Sequence, residues 1–291
     1  MDGILLINKT KGCTSHDVVY KVKKMLNEKV GHTGTLDPMA TGVLPLLIGK
    51  GTLCSKYLIN HDKKYKVVLE LGKKTTTADA EGEIVEEQDV DKTLLTEQNV
   101  TQVLNTFLGE QEQVPPMYSA IKVNGKKLYE YARKGQTVDI KSRIINIYSI
   151  KLIDVNIEEK LISFQVHCSK GTYIRSLCED IAKAFNTVGF MKELHRIQVG
   201  DFKIEDTITI EDVFRDTFQK QGKNYFISIE ELFNNKSKID LDNRNLQLFL
   251  NGVQLTYNLE NGIYKIYNNN TFIGIGIVEK NLLKRDIVLT I

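Results

Sequence analysis

Residues 31–42 read Gly31-His32-Thr33-Gly34-Thr35-Leu36-Asp37-Pro38-Met39-Ala40-Thr41-Gly42. A residue before a proline is displaced from helical geometry, so Asp37 is predicted to lie in a loop. The surrounding glycines allow left-handed turns and the close approach of another molecule. A carboxylate presented in this way can act as a nucleophile or a base. It can equally be an ordinary turn residue, because Asp before Pro commonly opens a turn.

The segments on either side of this loop are predicted to form the strands and helices that hold it in place. Strands are predicted at 4–8, 64–72, 144–155 and 161–168, and helices after Thr14 or Ser15, at 96–108 and at 173–185. Residues 43–48 form a buried apolar run that anchors the loop, and the polar segment 75–93 is predicted to be a connecting loop. Because strands and helices are interspersed without regular alternation, we expect an α+β fold with a mixed or antiparallel sheet.

The end of the chain has a different character. A polar break at 233–240 is followed by a predicted helix at 242–250 and strands near 263–267, 272–278 and 285–290. We therefore expect two domains, at 1–236 and 237–291, of which the second is small and mostly β.

The composition excludes several classes of protein. The chain has 291 residues, of which 42% are hydrophobic and 26% charged, as is typical of soluble globular proteins. No apolar run is long enough to cross a membrane and the N-terminus does not read as a signal peptide, so a cytoplasmic location is predicted. The four cysteines form no C-x-x-C pair and do not lie at zinc spacing from a histidine, which predicts reduced thiols and no metal site.

Charge is concentrated in one part of the chain. The net charge is only +2, but residues 122–143 carry seven cations against two acids. These cations can neutralise phosphates, or they can belong to a solvated surface loop. The segment 113–136 contains Pro115, Pro116, Gly125 and Gly135, which predicts an excursion from the sheet.

Two more segments combine residue types that carry chemistry. Lys63-Lys64-Tyr65-Lys66 places an aromatic ring among cations at the start of a strand, and Gly171-Thr172-Tyr173-Ile174-Arg175 begins a helix. Arg175 can pair with a carboxylate through two nitrogens, which lowers the carboxyl pKa by roughly 1–3 units. Equally, Tyr65 and Tyr173 suit a core and Arg175 a helix surface. No phosphate loop, dinucleotide fingerprint or nucleophile elbow is present in the sequence.

Taken together, these segments resemble the TruB family of tRNA pseudouridine synthases. The matching residues are Gly31–Pro38, Ala40–Pro45, Lys64-Tyr65, Leu71-Gly72, Val114–Ala120, Gly125–Arg133, Cys168–Arg175 and Leu194-His195-Arg196. Residues 237–291 resemble, more weakly, the small PUA-like module of bacterial members, with Gly274-Ile275-Gly276 as the best local cue.

The resemblance implies conversion of a uridine to pseudouridine at position 55, in the T-arm stem-loop of tRNA. The target base is flipped out, its glycosidic C–N bond is broken, and the base is rejoined through carbon without a metal or cofactor. The family also suggests a monomer, a PUA-like domain that binds RNA, and an insertion at 113–136 that closes over the RNA.

Three residues match the family's catalytic positions. Asp37 matches the aspartate that forms a covalent adduct, Tyr65 the tyrosine that stacks on the base and takes the C5 proton, and Arg175 the arginine that pairs with the aspartate.

Four more residues match substrate contacts. His32 matches a histidine that helps to hold the T-loop, Tyr173 and Leu194 match residues that line the uracil pocket, and Lys64 precedes the active-site tyrosine.

Two departures and two alternatives accompany this interpretation. Thr10 stands where the family usually has proline, and Thr76 where it often has aspartate; neither is expected to abolish activity.

One alternative is a non-catalytic protein that binds or folds tRNA on the same scaffold. The other is a cofactor-free glycoside hydrolase that uses Asp37, although such enzymes usually need a second carboxylate.

Overall fold

The structure, a computed structural model, describes residues 1–215, 219–220 and 223–289. Strands up to residue 228 are β1 (Gly3–Lys9), β2 (Val30–His32), β3 (Thr41–Ile48), β4 (Lys63–Leu71), β5 (Lys73–Thr75), β6 (Ile84–Glu87), β7 (Gly109–Gln113), β8 (Lys122–Val123), β9 (Lys126–Lys127), β10 (Arg143–Asn156), β11 (Leu161–Cys168), β12 (Gly189–Val199), β13 (Phe202–Lys203), β14 (Gln219–Lys220), β15 (Lys223–Asn224) and β16 (Phe226–Ser228). Helices in the same part are α1 (Ser15–Leu26), α2 (Ser55–Leu58), α3 (Glu97–Asn105), α4 (Leu128–Ala132), α5 (Ile174–Ala184), α6 (Ile210–Arg215) and α7 (Ile229–Leu232), with 3-10 turns at Gly49–Cys54, Lys92–Leu94 and Ile204–Asp206. The rest of the chain forms β17 (Lys238–Asp240), α8 (Asn243–Leu250), β18 (Leu255–Thr256), β19 (Gly262–Asn268), β20 (Thr271–Glu279) and β21 (Leu282–Val288).

Among the described residues, ten strands form one sheet, in the order β16-β1-β3-β12-β4-β11-β10-β7, with β2 beside β3 and β13 beside β12. The neighbours pair antiparallel except β12 and β3, which pair in parallel at His195↔Thr41 and Arg196↔Gly42. Helices pack on this sheet without a βαβ repeat, so the α+β prediction with a mixed sheet is confirmed.

One face of the sheet carries the main core. Along β4, Tyr65, Val67, Leu69 and Leu71 are buried, and they belong to the same apolar cluster as residues of α1, α3 and α5. We call this side the cleft face and the opposite side the far face. Because successive strand residues point to opposite sides, Lys64 and Lys66 lie on the far face.

The C-terminal strands form a second sheet on the far face. Its five strands are ordered β17-β19-β20-β21-β18. Ile275 and Ile287 are fully buried against a cluster that includes Ile4 of β1 and Val43 of β3. This part of the chain is therefore a small β-rich domain packed against the large one. Among the described residues, no helix is long and apolar enough to cross a membrane.

Two predictions of irregular structure are wrong. The segment 75–93 contains β6, which pairs with β5, and a 3-10 turn. Every residue of β6 is exposed, so the strand has no apolar alternation to reveal it. The break at 233–240 contains β17, which pairs with β19, and Phe233 is buried. Strands β7 and β12 were not predicted, and residue 290 of the strand predicted at 285–290 lies outside the described residues.

Candidate active site

A cleft of about 840 Å³ opens on the cleft face, between the loop after β2, the first residues of β4 and α5, and the segment after β7. Its walls contain five of the residues singled out by the sequence, namely Asp37, Tyr65, Tyr173, Arg175 and Leu194. These residues come from four separate segments, and the fold brings them together.

The floor of the cleft holds an ion pair between Asp37 and Arg175. Nε of Arg175 lies 3.2 Å from Oδ2 of Asp37, and Nη2 donates to Oδ1, also at 3.2 Å. The same guanidinium donates to the backbone oxygens of Thr77, at 3.3 Å, and Tyr118, at 2.9 Å. Its Nη1 lies 3.7 Å from Oδ2 of the buried Asp79. Arg175 therefore joins the loop that carries Asp37 to two other segments.

The pKa of Asp37 differs from the sequence-based prediction. Burial raises the pKa of this carboxyl above its usual value, and the Arg175 guanidinium opposes the shift without reversing it. The negative charge of Asp79 adds to the rise. The prediction of a lowered pKa is therefore wrong, because it considered the arginine and not the loss of hydration in the cleft.

The loop that carries Asp37 is held from below by two buried side chains. The hydroxyl of Ser15, at the start of α1, donates to the carbonyl of Leu36 at 3.1 Å and accepts its N–H at 2.9 Å. The ammonium of Lys9 donates to the carbonyl of Pro38 at 3.1 Å and to that of Cys13 at 2.7 Å. These bonds fix the backbone on both sides of the carboxylate.

Tyr65 forms another wall of the cleft and is only 8% exposed. Burial raises its pKa to about 12, and the nearby positive charge of the Arg196 guanidinium opposes that rise. Arg196 is 1% exposed, and it donates to the carbonyl of Val43 at 2.8 Å and to that of Gly34 at 3.0 Å. The sequence alone assigns no role to this arginine, although it lies in the motif Leu194-His195-Arg196.

Gly42 shows how closely β3 packs against β12. Its φ is 109°, and a Cβ atom there would lie 2.2 Å from the backbone oxygen of Arg196. Only glycine fits this position, because any side chain would push β3 away from β12 at the point where the two strands pair in parallel.

His32 and Lys64 do not line the cleft. His32 lies in β2, and burial lowers the pKa of its ring, as does the charge of Arg196. Its Nδ1 is buried and has no hydrogen-bond partner among the described residues. Lys64 faces the far side, whereas its neighbour Lys63 lines the cleft, and burial lowers the pKa of the Lys63 amine.

The basic insertion folds over one side of the cleft. It contains the short pair of strands β8 and β9, followed by α4, whose Leu128 is fully buried. Tyr129 lines the cleft, with Lys127 Nζ 5.3 Å and Arg133 Cζ 5.2 Å from the centroid of its ring. The insertion thus brings aromatic and cationic groups to the mouth of the site.

Thr10 and Thr76, the two departures from the family pattern, each take part in a hydrogen bond with a residue close by in the sequence. Thr10 is exposed, and it contacts Lys9 through its backbone carbonyl, a group that proline also has. Thr76 accepts the N–H of Glu83 at 3.2 Å through its hydroxyl. Asp79 supplies the carboxylate near Arg175.

Within the described part of the chain, no group of three or more His, Cys, Asp or Glu residues is arranged to hold a metal ion. The cysteines are free thiols, and Cys54, Cys168 and Cys178 are buried.

Comparisons with known proteins identify the family of this chain. The model of the TruB family pseudouridylate synthase N-terminal domain matches residues 22–174, and that of the tRNA pseudouridylate synthase B C-terminal domain matches residues 175–228. A tRNA pseudouridine synthase B of Clostridium kluyveri is 45% identical over 95% of this chain and 96% of its own. One of Caldanaerobacter subterraneus subsp. tengcongensis is 44% identical over 96% of both chains.

The fold is also similar to that of a solved structure. A chain in a structure of an H/ACA RNP bound to a substrate RNA containing 2′-deoxyuridine superposes with a TM-score of 0.70 at 23% identity, covering 99% of this chain and 85% of that one. The family models and the curated relatives show that the protein is an enzyme of the pseudouridine synthase class, whose members are isomerases. Within that class the chain belongs to the TruB family. The two relatives described above are both named tRNA pseudouridine synthase B.

Proposed function

We propose that this enzyme isomerises uridine to pseudouridine at position 55 in the T-arm of tRNA. The observation that carries the proposal is the Asp37 carboxylate held by Arg175 opposite Tyr65, in a chain closely similar to enzymes named tRNA pseudouridine synthase B. In the reaction the C1′–N1 bond breaks, the base rotates, and a C1′–C5 bond forms. The C5 proton leaves and N1 gains a proton, so the atoms balance.

Asp37 is the proposed nucleophile. Its carboxylate forms a transient bond to the substrate, at C1′ of the ribose or at C6 of the uracil, and both routes require the ionised form. Arg175 supports this role by its two-point contact, which aligns one carboxylate edge and leaves Asp37 30% exposed toward the cleft.

Tyr65 is the proposed platform for the flipped base and the acceptor of the C5 proton. Stacking on an aromatic ring is worth about 1–3 kcal/mol, which offsets part of the cost of unstacking the base. Because burial raises the pKa of Tyr65, its action as a base depends on stabilisation of the phenolate by Arg196.

The remaining contacts select and hold the RNA. Tyr173 and Leu194 line the cleft, which suits them to contact the uracil ring. We propose that His32 and Lys64 touch the RNA outside the cleft, His32 against the T-loop as a neutral ring. The basic insertion at 113–136 contacts phosphates, which adds affinity without sequence information.

The C-terminal residues 237–291 are proposed as a PUA-like RNA-binding domain, with residues 1–236 as the catalytic domain. The tRNA substrate, a monomeric state, a cytoplasmic location and independence from metals and cofactors complete the proposal. The folded shape of the T-loop supplies most of the specificity, as is usual for proteins that recognise structured RNA.

The test uses a tRNA transcript that carries tritium at C5 of uridine. Release of tritium by the wild-type protein, with pseudouridine mapped at position 55 and lost when that uridine is replaced by cytidine, is the expected result. Asp37→Asn is expected to abolish release while tRNA binding stays within about tenfold. A wild-type protein that binds tRNA but releases no tritium would support the non-catalytic alternative and defeat the proposal.

A further inference from the structure

The beginning of the insertion is fastened to the first turn of α5 by a group of hydrogen bonds, which we call the clasp. On the insertion side the clasp consists of Gln113, Val114 and Tyr118, and on the helix side of Tyr173, Arg175 and Ser176. Ser176 donates to the carbonyl of Val114 at 2.9 Å, and Arg175 donates to that of Tyr118, also at 2.9 Å.

Gln113 makes two bonds of the clasp with one residue. Its Oε1 accepts the N–H of Tyr173 at 2.8 Å, and its Nε2 donates to the carbonyl of Tyr173 at 3.0 Å. Gln113 is the last residue of β7 and only 4% exposed, so its side chain is held by the sheet. A primary amide suits this task because it presents a donor and an acceptor side by side.

The residue that Gln113 holds is the point where α5 begins. Tyr173 is the N-cap of α5, with extended backbone and no cap bond from its own side chain. Its carbonyl also accepts the first helical N–H, from Leu177 at 3.1 Å. Gln113 therefore fixes both polar groups of the backbone unit from which the helix starts.

Two side chains of the active site project from this fixed point. Tyr173 lines the cleft, and Arg175, two residues further on, grips Asp37. A small displacement of the helix start would move both of them relative to the nucleophile. Misplacement by about 1 Å can reduce a reaction rate about 100-fold, even when the altered residue never touches the substrate.

We propose that Gln113 is a positioning residue for the isomerisation, acting through the backbone of Tyr173 to hold Tyr173 and Arg175 against the nucleophile. The inference rests on the proposed function, since it assigns Gln113 a part in that reaction. It also makes the insertion and the catalytic pair one mechanical unit, because the chain that leaves Gln113 continues into the insertion.

Gln113→Glu and Gln113→Met test this role. An ionised glutamate can accept the N–H of Tyr173 but cannot donate to its carbonyl, whereas a protonated glutamate can do both. Methionine cannot donate, and its thioether is only a weak acceptor, at any pH. Both variants are expected to slow single-turnover conversion of bound tRNA by about 10- to 100-fold, with the Kd for tRNA within about threefold.

The pH dependence separates positioning from a general loss of structure. The rate of Gln113→Glu relative to wild type is expected to rise at least about fivefold from about pH 8 to about pH 6, because burial raises the pKa of a carboxyl and protonation restores the missing donor. The same ratio for Gln113→Met is expected to stay flat. Dividing by the wild-type rate removes the titration of Asp37 from both comparisons.

Gln111→Glu and Gln111→Met are the matched controls. Gln111 lies in the same strand two residues earlier, and its amide donates to the carbonyl of Phe107 at 2.7 Å, outside the clasp. Its variants are expected to retain the wild-type rate within about threefold at each pH. Thermal midpoints of all variants show whether each one is folded.

Wild-type rates in both Gln113 variants would overturn the inference. So would a slow Gln113→Glu whose ratio to wild type does not change with pH, since that result fits a purely structural role. If Gln113→Met does not fold, the pH series of Gln113→Glu alone decides. A wild-type protein without turnover defeats the proposed function instead, so the two failures are distinguishable.

Discussion

Arg175 holds Asp37 through two nitrogens, with Nε 3.2 Å from Oδ2 and Nη2 3.2 Å from Oδ1. This fork-like contact fixes the plane of the carboxylate, and only a guanidinium provides it. Arg175→Lys keeps the charge and loses the second contact together with the bonds to the backbone. We expect its single-turnover rate to fall by about 10²- to 10³-fold, with tRNA binding little changed. A rate within threefold of wild type would show that the charge alone suffices.

The raised pKa of Asp37 predicts the acid side of the pH profile. As the proposed nucleophile, the carboxyl must be ionised to attack. Burial raises its pKa, so a larger fraction is protonated at any given acidic pH than for an exposed aspartate. Activity is therefore present at higher pH and lost as the pH falls through this raised value. Single-turnover rates measured on a stable tRNA transcript across the acidic range locate the midpoint. A midpoint at or below the ordinary aspartate value would contradict this prediction.

Asp79 contributes to that midpoint and can be tested separately. Its negative charge raises the pKa of Asp37, and it accepts the hydroxyl of Thr77 at 2.5 Å and the N–H of Glu81 at 3.1 Å through Oδ1. Asp79→Asn removes the charge and keeps an acceptor oxygen, so the acid midpoint is expected to move to lower pH. Thr76→Asp, which adds a charge at an exposed site, is the control, with a shift below about 0.3 unit.

Tyr65→Phe separates stacking from proton transfer. The variant keeps the ring and loses the hydroxyl that lies beside Arg196. Because the ring supplies the stacking energy, the Kd for tRNA is expected to stay within about threefold. Release of tritium from C5 is expected to fall by about 100-fold or more, as for loss of a general base. Tritium release at the wild-type rate would assign the proton transfer to another group.

His32 and the basic insertion are expected to differ in their response to salt. Burial lowers the pKa of His32, so the ring is neutral near pH 7 and releases no counterion when RNA binds. His32→Ala should therefore weaken tRNA binding without changing the slope of log K against log salt. The double variant Lys126→Ala, Lys127→Ala should reduce that slope by about 1 to 1.5. Filter binding at several salt concentrations measures both, and a changed slope in His32→Ala would refute a neutral contact.

Local features of the sequence predicted the elements that position the site. The strand at 161–168 agrees with β11 residue for residue, and Thr14 caps α1 as expected, because alternation and capping involve neighbouring residues only. Strand β12 was not predicted, since its core-facing positions are interrupted by Lys192, Glu193 and His195 and by two register shifts against β4. Its partners in the centre of the sheet, β4 and β3, lie more than a hundred residues away in sequence.

The same distinction explains which candidate site residues the sequence could indicate. Asp37, Tyr65 and Arg175 stand in short motifs whose residue types already indicate chemistry. Arg196 acts on the carbonyl of Gly34, 162 positions away, and Gln113 on the backbone of Tyr173, 60 positions away. A glutamine at the end of a strand carries no local sign of such a contact. The net direction of the pKa of Asp37 was also beyond reach, because it depends on burial that only the assembled cleft creates.

Ile275 and Ile287 make apolar contacts with the far face of β1 and β3. These contacts hold the C-terminal sheet in a fixed position against the large domain. Asp286 strengthens the joint by accepting hydrogen bonds from Tyr57 and Lys56 of α2. The packing of the two parts therefore fixes the distance from the cleft to the C-terminal sheet. An RNA that touches both must match that span, and one with base pairs added or removed between the two contacts must give up one of them.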